Sequence, residues 1–142
     1  MSAGGALQAA LAAVLGGEAR LTGIYDGPPP RAAFPYAVID AGSESDWSHK
    51  NGEGREVLVG LTLWDEEPAR LAELADAAER LAAGVRQTTG WQLVSMRLVR
   101  RRTVRDVAGP WAAVVDFRAR MLMIMEVAAS ANAKSAAGLS VA

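Results

Sequence analysis

"WQLVSMRLVRRRTVRD" (91–106) and "WAAVVDFRARMLMIM" (111–125) decide the fold, because the turn signal "VAGP" between them makes the two runs a β-hairpin. In the second run Val115, Phe117 and Ala119 alternate with Asp116, Arg118 and Arg120, the period of a strand with one wet face. A strand of 15 residues, the length of 111–125, would reach roughly 50 Å at about 3.3 Å per residue. Ordinary strands run about 3–10 residues. After Arg120 the alternation stops in "MLMIM", and a strand that is apolar on both faces must be covered on both. A small domain with two helices has little left for the second covering, so the sequence predicts that a neighbouring chain supplies it. Two rivals stand beside this reading: 121–127 is helical, or one of the chain's own helices covers the second face.

The strand N-terminal to the hairpin is "REVLVGLTLW" (55–64). Val57, Val59, Leu61 and Leu63 point one way, and Leu58, Gly60, Thr62 and Trp64 the other. A helix follows in "EEPARLAELADAAERLAAGV", with Asp65 or Glu67 as cap and Pro68 in the first turn. Its apolar stripe is Leu71, Leu74, Ala75, Ala78, Leu81, Ala82 and Val85, and Glu66/Arg70 and Asp76/Arg80 are expected as i,i+4 pairs. A first, shorter helix in "ALQAALAAVL" (6–15) carries Leu7, Ala10, Leu11, Val14 and Leu15 on one side and stops at Gly16-Gly17.

Between the first helix and the 55–64 strand lies "LTGIYDGPPPRAAFPYAVIDAG" (21–42). "LTGIY" reads as a connector with a brief extended piece, and Pro28–Pro30 cannot pair inside a sheet because each lacks an N–H. Pro35 leads into a strand at 36–42. The prolines read as a rigid lead-in to that strand; a ligand for a proline-binding domain is the less favoured alternative. "GSESDWSHKNGEG" (42–54) reads as a mobile loop or hairpin tip with an Asn-Gly turn. Within it, Trp47 is either a lid over the core edge or an anchor for a partner, and His49 is a solvated loop residue.

Composition sets the outer limits. The 142 residues fit one domain, taken as 1–126 with 127–142 as a flexible or partner-bound tail, and 51% are hydrophobic. The formal net charge of -1 disfavours a dedicated nucleic-acid binder, so any basic surface must be local. With no cysteine and a single histidine, disulfides, thiolate metal sites and multi-histidine sites are excluded. Apolar runs fall short of the roughly 20 residues a membrane span needs, and the N-terminus lacks the positive region of a signal peptide. Neither a phosphate-binding glycine loop nor a Gly-x-Ser-x-Gly elbow occurs, and no carboxylate pair stands out. The reading expects no catalytic residue, cofactor, metal or membrane contact.

One charged feature remains. Arg97, Arg100, Arg101, Arg102 and Arg105 follow one another along the first hairpin strand. They are either a solvent-facing side bridged to Asp106, Asp116 or Glu126, or a basic patch for an acidic partner or passing DNA. Val99, Val104 and Val107 give no platform for stacking bases.

The order of blocks resembles that of the tail terminator, or tail completion, proteins of long-tailed phages and phage-like particles. It runs from "ALQAALAAVLGG" through "IYDGPPPRAAFPYAVI" and "DWSHKNGEGREVLVGLTLW" to "ARLAELADAAERL" and the hairpin, over residues 6–125. The resemblance implies an α+β fold, a small antiparallel sheet with a long C-terminal hairpin and two main helices on one face. It implies a ring, usually a hexamer, at the head-proximal end of the tail tube, assembled in the bacterial cytoplasm and carried in the virion. That ring would end tube growth, meet the tube protein and the head-completion (stopper) protein, and let DNA through without sequence preference. Trp47, His49, Trp111, Met121, Met123 and Met125 are then the expected interface residues, and Arg97, Arg100, Arg101, Arg102 and Arg105 the expected DNA or acidic-partner patch. The alternative is a nucleic-acid-binding accessory domain that uses Arg97–Arg105.

Overall fold

The computed structural model describes residues 1–124. In chain order the elements are α1 (Ala3–Leu15), β1 (Ile24–Tyr25), β2 (Tyr36–Asp46), β3 (Gly54–Asp65), α2 (Pro68–Ala83), β4 (Trp91–Arg105) and β5 (Trp111–Met123). The sheet order is β1-β2-β3-β5-β4, antiparallel throughout except for the two-residue β1, which runs parallel to β2. This is the expected α+β fold, with a mixed rather than purely antiparallel sheet.

The hairpin forms where the sequence predicts it, its strands ending at Arg105 and Met123, and β3 explains how it is supported. β3 pairs with β5 from Gly54↔Leu122 to Asp65↔Trp111, so a third strand backs nearly its full length. The inward side chains of β3 and β5 (Val57, Val59, Leu61, Leu63, Val115, Phe117, Ala119 and Met121) join the apolar sides of both helices in one buried cluster. Residue-by-residue alternation therefore persists one step into "MLMIM". Met121 is fully buried in the chain's own core, which corrects its place among the expected interface residues. β5 remains strand through Met123, against the helical alternative for that part. Met125, Glu126 and the 127–142 tail lie outside the described residues.

α1 begins earlier than expected. Ser2 caps it, its Oγ accepting the Gly5 N–H at 3.0 Å, and the first turn includes two glycines that cost helix stability. Gly4 has a reason to be there: a Cβ at this position would fall on the carbonyl oxygen of Ala41. The helix can lie this close to β2 only without a side chain at that point.

The proline segment is the loop between the parallel strands β1 and β2. Its ends are tied together by Thr22, whose N–H and hydroxyl both donate to the Pro35 carbonyl, and by the N–H of Ala37 donating to Gly23. Tyr36 meets Tyr25 edge-on at 5.9 Å and stacks on Phe34 at 5.7 Å. β2 then continues to Asp46, well past the predicted end at 42, because Ser43–Asp46 pair with Arg55–Leu58 of β3. The polar loop shrinks to a tight tip in which the N–H groups of His49 and Gly52 each donate to the other's carbonyl.

α2 starts where the sequence places it, with Pro68 in the first turn, but its ion pairs differ from the expected ones. Arg70 forms two hydrogen bonds to the fully buried Asp65, at 2.7 and 2.6 Å, and a contact to Glu67 at 2.8 Å, in place of Glu66. The same Asp65 carboxylate accepts the N–H of Glu67, the residue that precedes the helix. Asp76 pairs with Arg101 of β4 in place of Arg80.

Candidate functional site

Both helices cover one face of the sheet, and among the described residues nothing covers the other. This bare face is built from cross-strand rows. Asp40, Gly60, Asp116 and Arg100 form one; Ser43, Leu58, Arg118 and Arg97 the next; Ser45, Glu56, Arg120 and Ser95 a third. Toward the hairpin turn the rows become apolar: Val38, Thr62, Val114 and Arg102, then Tyr36, Trp64, Ala112 and Val104. Leu58 is 47% exposed in the middle of this face, and with Val99 it borders a shallow hollow over Gly60.

The β4 arginines divide between the two faces, and β-bulges decide how. An extra residue intrudes between Leu93 and Ser95 and another between Leu98 and Arg100, namely Val94 and Val99. Each bulge shifts the alternation by one. As a result Leu93, Met96 and Leu98 keep to the helix side, while Arg97, Arg100 and Arg102 share the bare face. Arg101, opposite the buried Val115, turns to the helix side. There its guanidinium lies 2.6 Å from Asp76 and donates to the Ala72 carbonyl of α2 at 3.3 Å. Arg105 also lies on that side and stands over the Trp111 ring at 5.1 Å. The expected bridges from this series to Asp106 and Asp116 do not form.

Two arginines outside the expected set, Arg118 and Arg120 of β5, complete the basic area. Arg118 stands opposite Arg97, a cross-strand pair of like charge, which is unfavourable on its own. Glu56 sits between the two β5 arginines, 3.6 Å from Arg118 and 3.1 Å from Arg120. The alternation of β5 already points Arg118 and Arg120 outward; what links them to β4 is the register, which the sequence leaves open.

Trp47 and His49 are brought together at the β2–β3 tip, ring to ring at 4.4 Å, with the Arg120 guanidinium 5.5 Å over Trp47. Trp111 sits at the opposite end of the sheet, paired with Asp65 while Gly54 marks the near end, about 35 Å away along the strand. Met123 is 37% exposed, close to the tip, its N–H donating to Glu53. The expected interface residues thus fall in three places: Trp47, His49 and Met123 near the β2–β3 tip, Trp111 at the far end packed against the core on the helix side, and Met121 inside the core.

The buried ion pair lies away from this face. Burial pushes the Asp65 carboxyl up, but the Arg70 guanidinium and the Glu67 N–H outweigh it and hold the group below the usual carboxylate range. Its partner is satisfied and fixed, which suits an anchor for α2 better than an acid or base. Among the described residues no cluster of histidine and carboxylates could hold a metal ion, and no helix is long and apolar enough to cross a membrane.

Among the described residues the chain is an α+β domain with one sheet face bare and a basic area across two of its strands, and that is its class. The comparisons make the class specific. The family model for tail completion protein gp17 matches residues 5–122, and the chain belongs to that family. It is thereby a structural protein of the tail of a phage or phage-like particle. Among solved structures it is similar to a chain in the virion of a native gene transfer agent particle, with 26% identity and a TM-score of 0.65 over 83% of this chain and 96% of that one. It also shares its fold with the bacteriophage SPP1 gp17 protein, with 18% identity and a TM-score of 0.56 over 86% and 91% of the two chains. Comparison with curated protein sequences yields no match.

Proposed function

We propose that this protein forms a ring of its own copies, six in number, at the head-proximal end of a tail tube, where it ends tube growth. Its role is geometric and non-enzymatic: one side of the ring meets the last layer of tube protein, the other the head-completion protein, and DNA passes through the opening. The observation that carries the reading is the bare sheet face together with family membership. Exposed Leu58, Val99 and Val104 with half-buried Trp64, beside five arginines, make a surface that suits a partner. Arg97, Arg100, Arg102, Arg118 and Arg120 suit either a phosphate backbone sliding past or an acidic partner, since neither needs base-specific contacts. The similarity to a chain of a gene transfer agent virion supports a place in a virion.

Electron microscopy of particles made without this protein tests the reading. Tails of uncontrolled length, or heads without tails, are expected; particles with joined heads and tails of normal length would overturn it.

A second reading, a nucleic-acid-binding accessory domain using Arg97–Arg105, has one observation in its favour: the like-charge opposition of Arg97 and Arg118. Arg101 and Arg105 are turned to the other face, which leaves this reading a shorter basic stripe. A salt-dependent mobility shift of duplex DNA by the isolated protein would favour it, and no shift at low salt would remove it.

A further inference from the structure

Among the described residues both edges of the sheet have open stretches, and these differ in charge. β4 has no partner on its outer side among those residues, because it is the last strand of the order. β2 is covered by β1 at Ala37 and Val38, Gln8 reaches the Ile39 carbonyl at 3.4 Å, and Gly4 of α1 lies against the Ala41 carbonyl; among the described residues its outer side is open from Ser43 to Asp46. The open β4 stretch, Arg97–Arg105, holds five arginines and no acid, Arg101 among them paired with Asp76, whereas β2 carries Asp40 at its bulge and Glu44 and Asp46 in the open stretch, the last two 4.0 and 3.6 Å from Arg55 of β3. Exposed edges are templates for further strands unless something covers or blunts them.

We propose that copies of this chain join edge to edge, the Arg97–Arg105 edge of β4 in one copy pairing with the Ser43–Asp46 edge of β2 in the next, with Asp40 beside the contact. This rests on the ring reading above and says which surfaces close the ring. Three features support it. Charge favours the unlike pair and opposes both like pairs, β4 on β4 and β2 on β2, so the contact is head-to-tail, the kind that generates rings. Direction agrees: β2 runs antiparallel to β3, β3 to β5 and β5 to β4, so β4 of one copy meets β2 of a similarly oriented neighbour antiparallel. Length is limited as well. Bulges at Val94 and Val99 in β4 and between Asp40 and Ser43 in β2 bend both edges, leaving short flat stretches and discouraging unlimited sheet growth.

The test uses the full chain on tail tubes and counts tube ends that carry a ring by electron microscopy. Arg100→Glu with Arg102→Glu, and separately Asp40→Lys with Ser43→Lys, is each expected to reduce ringed ends at least tenfold while the thermal transition stays within a few degrees of wild type. The chain carrying all four substitutions has its edge charges exchanged and is expected to regain rings. Rings unaffected by either pair, or lost with each pair and not regained in the fourfold variant, would overturn the edge contact and leave the ring itself standing. A wild-type chain that forms no ring on tubes would overturn the ring reading, and the edge contact with it.

Discussion

Arg101 Nη1 lies 2.6 Å from the Asp76 carboxylate, tying the edge strand to α2, while Arg100 and Arg102 on either side of it project from the opposite face. Three consecutive arginines therefore do two jobs. Arg101→Ala is expected to lower unfolding stability by about 0.5–1 kcal/mol, the worth of a partly exposed ion pair, because Asp76 is itself 60% exposed. Arg100→Ala with Arg102→Ala should change stability by less than about 0.5 kcal/mol. Urea unfolding of the two variants beside wild type checks the ordering; equal losses would mean the three side chains share one environment.

Gly4 is the second place where one atom decides packing. Gly4→Ala would normally favour a helix, yet here the added methyl meets the Ala41 carbonyl and must push α1 off β2. A loss of about 1–3 kcal/mol is expected, against a gain for the exposed Gly16→Ala or a neutral result there. Denaturant midpoints for both variants decide it, and a stabilised Gly4→Ala would show that α1 has room to move.

Asp65 predicts a pH dependence with a definite sign. Its folded pKa is depressed, so the stability it contributes is fully present above the unfolded value of about 3.9 and is lost as pH falls through the lower folded value. Asp65→Asn keeps an acceptor for the Glu67 N–H but removes the charge facing Arg70. The gap in stability between wild type and Asp65→Asn should be widest near neutral pH and narrow below about pH 4. A gap independent of pH would mean the Arg70 contact is not electrostatic.

Met121 and Met123, two residues apart, should behave in opposite ways. Met121→Asp places a charge in the shared core and should cost more than about 4 kcal/mol, enough to unfold a domain of ordinary stability. Met123→Asp, at a partly exposed position, should leave the protomer folded and weaken association. Circular dichroism and light scattering separate the two. An unfolded Met123→Asp would place that residue in the core with Met121.

How much of this was legible beforehand follows from the physics of each signal. Patterns that burial imposes could be read: the inward sides of β3 and β5, the stripe of α2 and the existence of the hairpin. What depended on register or on distant partners could not. Ser43–Asp46 have weak strand propensity and are held as strand by β3, so they read as loop. The bulges at Val94 and Val99 leave no local mark, so the arginines read as one series when they belong to two faces. Arg70 has acidic residues at several helical spacings, and burial of Asp65, a tertiary fact, selects among them. The surplus apolar character of "MLMIM" pointed to a neighbouring chain, yet Met121 of that stretch is enclosed by the protomer itself. The case for association now rests on the bare face and open edges.

On the proposed reading, this protein stops a tube from growing. That reading is tested most directly by polymerising purified tail tube protein with and without this protein and measuring tube lengths by electron microscopy. Adding the protein at far below the tube subunit concentration is expected to arrest growth, with one cap at one end of each tube. Tubes that lengthen at the same rate with uncapped ends in its presence would contradict it.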